Sequence, residues 1–248
     1  MKITQIGAVY QLTFMPRLFP VNCYLVEEEN ELTLIDAALP FSKAGILQAA
    51  ERIGKPITKL VLTHAHEDHI GALDALKEAL PKAAVCISAR DARLLAGDLT
   101  LDAGEENTPI RGGVPKKVQT KPDVLLQDGD RIGSLLAIST PGHTPGSMSF
   151  QDTRSGAIIA GDALQTQGGI AVSGQLKPLF PFPAFATWSK STALDSARRL
   201  LACSPSVLAV GHGRMIENPA AKLRQAIQAA ERNLHGSSGN GNGAIHRA

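Results

Sequence analysis

Apolar and polar positions along the chain follow two rhythms, short β-type runs and longer helical patterns, and their interleaving predicts an α/β protein. Residues Ile3 to Phe14 read as a pair of strands, and Cys23 to Glu27 and Leu32 to Asp36 as two more joined by the polar turn Glu28-Glu29-Asn30. Ser42 to Arg52 carries a helical pattern. Lys59 to Thr63 is a strand and Ala72 to Leu80 a helix stopped by Pro81. Ala84 to Ser88 is a strand that runs into a helix over Ala89 to Leu95, with Ser88 and Asp91 at capping-box spacing.

Periodicity is lost from Gly97 to Pro122, where Gly, Pro and charge dominate. This excursion reads as a long loop within one domain, with a lid, a subunit contact and a mobile segment all open as its role. Strands resume at Val124–Leu126, Arg131–Ile132, Leu135–Thr140, Ser147–Gln151 and Ala157–Ala160, separated by Asp128-Gly129, Gly133-Ser134 and Ser155-Gly156. The Pro/Phe-rich stretch Pro178 to Pro183 leads to a helix over Thr192–Leu201, a strand over Val207–Val210 and a last helix entered at Asn218-Pro219. Residues 1–234 are therefore expected to form one domain, and the Gly-, Ser- and Asn-rich residues 235–248 a disordered tail.

Composition narrows the function by exclusion. The 25 Lys and Arg nearly cancel the 23 Asp and Glu, leaving a net +2, so the basic excess that phosphate-backbone binding needs is missing and nucleic acid is not an expected partner. The longest apolar runs, such as Leu135-Leu136-Ala137-Ile138, fall far short of the roughly 18 to 20 residues of a membrane span, and the first residues carry no signal-peptide core. A cytoplasmic protein without a membrane partner is expected. Cys23, Cys86 and Cys203 share no Cys-X-X-Cys spacing and read as reduced core thiols.

Histidine usage is different. Of seven histidines, three fall in Thr63-His64-Ala65-His66-Glu67-Asp68-His69. Four apolar strands run directly into a potential metal ligand: Lys59–Thr63 into His64, Leu135–Thr140 into His143, Ile158–Gly161 into Asp162, and Val207–Gly211 into His212. Loops that follow strands are where distant side chains converge. Positions i and i+2 of an extended segment project to one side, so His64 and His66 can grip one ion, and a turn into a helix near Ile70 would swing Asp68 and His69 to a second. His143 completes three ligands for the first ion and His212 three for the second, with the two oxygens of Asp162 left to bridge. The two histidines left over, His235 and His246, lie in the tail. Other zinc and hydrolase signatures are missing: His66-Glu67-Asp68-His69 is one residue short of His-Glu-X-X-His, and there is no Pro-Cys-X-X-Cys or Gly-X-Ser-X-Gly.

With His64 to His69, Asn22-Cys23-Tyr24-Leu25, Leu34-Ile35-Asp36, Pro141-Gly142-His143-Thr144-Pro145-Gly146 and Gly161-Asp162, the chain resembles the metallo-β-lactamase superfamily of binuclear metallohydrolases over roughly Ile3 to Asn233. The resemblance implies an αββα sandwich, two mixed β-sheets face to face with helices outside, and a dinuclear zinc site at one edge, other divalent metals being possible. Residue by residue, His64, His66 and His143 would hold one zinc ion and Asp68, His69 and His212 the other, with Asp162 bridging. Asp36, which could otherwise be a turn cap, is implied to support a histidine ligand.

Two zinc ions, two carboxylates and a bridging hydroxide leave a net charge of about +1, which suits a developing oxyanion. The expected chemistry is attack of that hydroxide on a carbonyl carbon, with Asp68 passing a proton to the leaving group. Phe180, Phe182, Phe185 and Trp188 either wall an apolar pocket or anchor their loop, and Phe14 and Arg17 belong either to a flap over the site or to an ordinary hairpin turn. Within the family, glyoxalase II-type enzymes carry a helical domain after the last histidine, whereas 36 residues follow His212 here, which disfavours that assignment. Gln165 stands where lactonases usually place a tyrosine, and Asp162 counts against the β-lactamases proper. The expectation is a zinc-dependent hydrolase of a small-molecule ester, thioester or lactone. The alternatives are β-lactam hydrolysis, a flavodiiron-like redox role, against which His66 and the missing flavin domain argue, and a metal-site binding protein. Oligomeric state is left open.

Overall fold

The computed structural model describes residues 1–239, with side chains through His235. It opens with four antiparallel strands, β1 (Lys2–Ile6), β2 (Val9–Phe14), β3 (Val21–Glu27) and β4 (Leu32–Ile35), followed by helix α1 (Lys43–Ile53). Next come β5 (Ile57–Val61), α2 (Glu67–Ile70), α3 (Leu73–Ala79), β6 (Ala84–Ser88), α4 (Ala89–Leu95) and β7 (Val124–Leu126). These strands form one seven-stranded sheet in sequence order, antiparallel up to β4 and parallel from β4 to β7. The second half supplies β8 (Arg131–Ile132), β9 (Leu135–Ser139), β10 (Met148–Asp152), β11 (Ile158–Ile159), the small hairpin of β12 (Leu164–Gln165) and β13 (Ala171–Val172), α5 (Phe182–Ala186), α6 (Lys190–Ala202), β14 (Val207–Ala209), β15 (Ile216–Glu217) and α7 (Ala220–Gly239). Its six-stranded sheet has the order β15-β14-β11-β10-β9-β8, with β11 and β14 parallel.

Strict alternation explains the layering. In β3, Val21, Cys23 and Leu25 pack under the helices of the first half, whereas Tyr24 and Val26 face the other sheet. In β14, Val207 and Ala209 face inward, and Leu208 packs under α6 and α7. Both faces of both sheets are thus buried, giving three apolar layers stacked as helix, sheet, sheet, helix. The αββα sandwich expected from the sequence is the fold.

Four boundaries differ from the sequence reading. Strand β5 ends at Val61, because the amide of Leu62 turns to Cys86 O and that of Thr63 to the Asp36 carboxylate, both at 2.8 Å. The helix expected near Ile70 starts at Glu67 and breaks before α3. Ser88 caps α4 by accepting from Asp91 N at 3.0 Å, but Asp91 does not return the bond and the capping box is not closed. Finally, α7 continues to Gly239, past the expected end of packed structure, and residues 240–248 of the expected tail lie outside the described residues. No helix among the described residues is long and apolar enough to cross a membrane.

The ends of the central strands all face one edge. Parallel β4, β5 and β6 end there at Asp36, His64 and the first turn of α4, while β9, β11 and β14 end at the loops of His143, Asp162 and His212. Polar side chains clasp the two sheets at this edge. Asn22 Nδ2 donates to Val210 O and Gly213 O at 2.8 and 2.6 Å, Tyr24 Oη to Val210 O at 2.6 Å, and Gln11 Nε2 to Gly213 O at 2.8 Å. These buried bonds hold the loop that carries His212.

Candidate metal centre

Seven side chains meet at that edge. Three sets of donor atoms each lie within 4.8 Å of one another: His64, His66 and His143; Asp68, His69 and His212; and His64, His69 and Asp162, which connects the other two. The sets coincide with the residues that strand ends and spacing singled out. Asp162 stands between the groups, with Oδ1 3.4 Å from His69 Nε2 and Oδ2 3.4 Å from His143 Nε2 and 3.2 Å from His212 Nε2. Asp68 Oδ2 lies 3.3 Å from His212 Nε2.

Each imidazole uses one nitrogen outward and turns the other inward. The Nδ1–H of His212 donates to Pro20 O at 2.7 Å, the Nε2–H of His66 to Arg111 O at 2.8 Å, and the Nδ1–H of His69 to Asp36 Oδ2 at 2.8 Å. Thr63 Oγ1 donates to Asp36 Oδ2 at 2.8 Å, so its oxygen accepts from His64 Nδ1 at 3.0 Å. His143 Nδ1 rests on Ser173 Oγ at 3.0 Å. Asp36 therefore orients two histidines, His69 directly and His64 through Thr63. It does so from a left-handed backbone conformation, φ 62°, which aims its carboxylate at Thr63 N as well.

The inward atoms fit a cation. His64 Nε2, His69 Nε2 and Asp162 Oδ1 are buried without a hydrogen-bond partner, a costly state for polar atoms unless an ion completes them. His66 Nδ1 and His143 Nε2 also face each other inward, at 3.0 Å. The donor set, imidazole and carboxylate without thiolate, suits zinc or iron.

The two groups differ electrostatically. Burial pushes the His64 and His66 pKa values below their ordinary range, the neighbouring rings adding to it at His64, and carries His143 down to about 3. Burial opposes charging of His69 and His212 as well, but Asp162 and Asp68 outweigh it, raising His69 well above its ordinary value and His212 to about 10. The carboxylates answer in kind. Burial resists ionisation of Asp68 and Asp162, yet the His69 and His212 rings hold both below the ordinary range.

Several surrounding residues were assigned no part in the site by sequence. Asp91, fully buried, accepts from Ala65 N at 3.0 Å, Thr144 Oγ1 at 2.7 Å and Gly146 N at 2.8 Å, tying the loop of His64 and His66 to that of His143. Burial raises its pKa to about 6 against those three bonds. Its signal was its place just after a strand, like Asp36. Gly211 is required by the close approach of Asp162 and His69, which a Cβ there would overlap. Gly112, at φ 92°, lies against His66 in the same way.

The aromatic residues divide. Phe182 lines a cavity of about 250 Å³ over the donor atoms beside Phe19, a residue the sequence reading did not single out, and the two rings meet edge-on with centroids 5.1 Å apart. Phe180 is buried behind them with its ring 5.2 Å from that of His212. Trp188 does not wall the cleft: it is buried, and its Nε1 donates to Thr108 O at 3.0 Å. Phe14 lies on the opposite face of its sheet, edge-on to Phe41 above α1, because its side of β2 faces the helices. Phe185 and Arg17 are exposed outside the cavity lining. The Gly97–Pro122 excursion is fastened across the site, with Arg111 O on His66, Gly113 O accepting from Glu67 N at 2.8 Å, and Asp74 accepting from the amides of Gln119 and Thr120.

Comparison with known proteins agrees with this geometry. The sequence profile described as "Metallo-beta-lactamase superfamily" matches residues 16–212. The chain is 62% identical over 232 residues to YobT of Bacillus subtilis (strain 168), covering 94% of this chain and 100% of that protein. It is 31% identical over 219 residues to the probable metallo-hydrolase YflN of the same organism, covering 77% and 80%. Among solved structures, the metallo-β-lactamase FIM-1 from Pseudomonas aeruginosa in its mono-zinc form superposes with a TM-score of 0.69 at 20% identity, covering 94% of this chain and 95% of that one, a likeness of fold alone.

Proposed function

The chain belongs to the metallo-beta-lactamase superfamily, and from that premise we propose that it is a metal-dependent hydrolase of small ester-type bonds, carboxylic ester, thioester or lactone, that holds two zinc ions. His64, His66 and His143 hold one ion and Asp68, His69 and His212 the other, with Asp162 shared. The observation that carries the reading is the set of buried inward atoms without partners, on Asp162 and on two histidines, His64 and His69, that are oriented from behind. Ions bound there supply Lewis acidity and a water acidified from a pKa of about 15.7 toward 7.

The protein's own groups do the rest. Pro20 O, Arg111 O and Asp36 hold the His212, His66 and His69 rings in the tautomers that leave the inward nitrogens free. Asp68 is the more open of the cluster's two carboxylates, with 28% of its side chain exposed against 4% for Asp162, and is the group that takes a proton from the attacking water and returns it to the departing oxygen or sulfur. Phe19 and Phe182 cover the reacting end and exclude bulk water.

The test is a hydrolysis screen of metal-replete protein over aryl esters, thioesters, lactones, β-lactams and phosphodiesters, with metal quantified on the same preparation and circular dichroism on each variant. Turnover of an ester-type bond, abolished by chelation and in folded Asp68→Ala and His66→Ala, is the expected result. Metal-loaded protein inert to every ester, or an unchanged rate in Asp68→Ala, would overturn the reading.

A further inference from the structure

A second and larger cavity, about 560 Å³, lies beside the one over the donor atoms, and Glu67 and Asp68 line both. Its walls are apolar side chains, Leu39, Pro40 and Ile70 on one side and Val118 on the other, with Lys116 and Lys117 beside Val118. The division is built in: Glu67 N donates to Gly113 O at 2.8 Å, pinning the 97–122 excursion between the two spaces. Neither lysine forms an ion pair among the described residues. The Asp74 carboxylate on the same wall is already taken by the amides of Gln119 and Thr120, which leaves Glu67, at the partition, as the wall carboxylate with no side-chain partner among the described residues.

We propose that this second cavity receives the leaving group of an open-chain ester or thioester, an alcohol or thiol with an apolar body and an anionic end recognised by Lys116 and Lys117. The inference rests on the hydrolase reading and narrows it. Of the seven clustered side chains only Asp68 reaches the second cavity, so the arm that extends there is the one whose departing atom lies against Asp68. In the reaction, the water oxygen bonds to the carbonyl carbon, the bond from that carbon to oxygen or sulfur breaks, and the departing atom takes a proton. The acyl product stays in the cavity over the donor atoms, against Phe19 and Phe182, and the alcohol or thiol stays beyond Asp68. A small lactone or β-lactam carries its leaving atom in the same ring as its carbonyl. It would fit the space of about 250 Å³ and leave the larger one, which has the size of an ordinary ligand pocket, unused.

Three aryl esters of similar phenol acidity test this: 4-ethylphenyl acetate, the acetate ester of 3-(4-hydroxyphenyl)propionate, and the cyclic dihydrocoumarin. The carboxylate-bearing ester is expected to exceed 4-ethylphenyl acetate about fivefold in kcat/KM, the scale of two exposed ion pairs. That preference should vanish in Lys116→Gln/Lys117→Gln and at high salt. Both open esters should exceed dihydrocoumarin, and Val118→Trp should cut the preference for aryl over vinyl acetate about tenfold. Independently of turnover, 3-(4-hydroxyphenyl)propionate should bind the wild-type protein by titration calorimetry and bind the lysine double variant more weakly. No carboxylate preference, dihydrocoumarin turned over as well as the open esters, or product binding unchanged in the lysine variant would overturn the inference. Absence of any ester turnover would instead overturn the hydrolase reading, and calorimetry would still decide the cavity.

Discussion

The two donor groups stand side by side but differ in charge. His64, His66 and His143 form an all-imidazole set that burial keeps neutral, ready to bind a cation without releasing a proton. Asp68, His69 and His212 form a mixed set in which the carboxylates favour protonated rings, so an ion entering there must displace protons. The difference comes from the backbone. His64 and His66 leave β5 before the chain turns, whereas Asp68 and His69 sit in the first turn of α2, where Asp162 and Asp36 reach His69 from two sides. Two adjoining sites are thus tuned apart by which of them holds the negative charge.

The largest effect is expected where the groups join. Asp162→Ala removes the carboxylate common to both and should lower kcat about a thousandfold or more, with metal content falling in both groups by elemental analysis. Loss from only one group would break the view of Asp162 as shared. Next comes Asp36→Asn, which places an amide hydrogen or an uncharged oxygen against Thr63 N, Thr63 Oγ1 and His69 Nδ1. Metal affinity should drop about 10- to 100-fold by chelator competition, more in the mixed group, which Asp36 touches directly, than in the imidazole group, which it reaches through Thr63.

Proton competition sharpens the contrast further. With His212 raised to about 10 and His69 raised too, affinity of the mixed group should climb between pH 7 and 9 by about tenfold per pH unit for each ring proton displaced, while that of the imidazole group stays flat. Without metal the same shifts act on folding. His143, lowered to about 3, is protonated in the unfolded chain but not in the native one between pH 3 and 6.5, so stability is lost as pH falls through that window. His212 keeps its proton in the native state up to about pH 10, so its contribution is present below 6.5 and lost as pH rises toward 10. Urea denaturation of chelator-treated protein should find a maximum near pH 6.5. The smallest effect is expected at the strap: Trp188→Phe deletes the hydrogen bond to Thr108 O and should cost about 1 kcal/mol, with faster amide exchange in residues 106–113.

Much of this was legible in the residues. Strand and helix patterns predicted an α/β protein, the family resemblance implied its two sheets, and the placing of His64, His143, Asp162 and His212 at strand ends brought the same side chains together that the structure does. What failed was whatever depended on partners far along the chain. For Phe14 the sequence left flap and hairpin turn open until β2 placed it on the helical face, and for Trp188 it left pocket wall and loop anchor open until Thr108, 80 residues away, claimed its indole. Asp91 passed for a helix cap because its three partners lie in two other loops.

The sequence by itself determined the donor residues, their spacing and the sheet edge to which they belong, because side-chain periodicity and strand ends are properties of the local chain. Only the tertiary structure decided which ring nitrogen of each histidine faces inward, which group is neutral, and that the cleft is divided beyond Asp68. Those features arise where Pro20, Asp36, Arg111 and Gly113 are carried against the site by the packing of sheets and the fastening of the excursion, and no local pattern encodes such contacts.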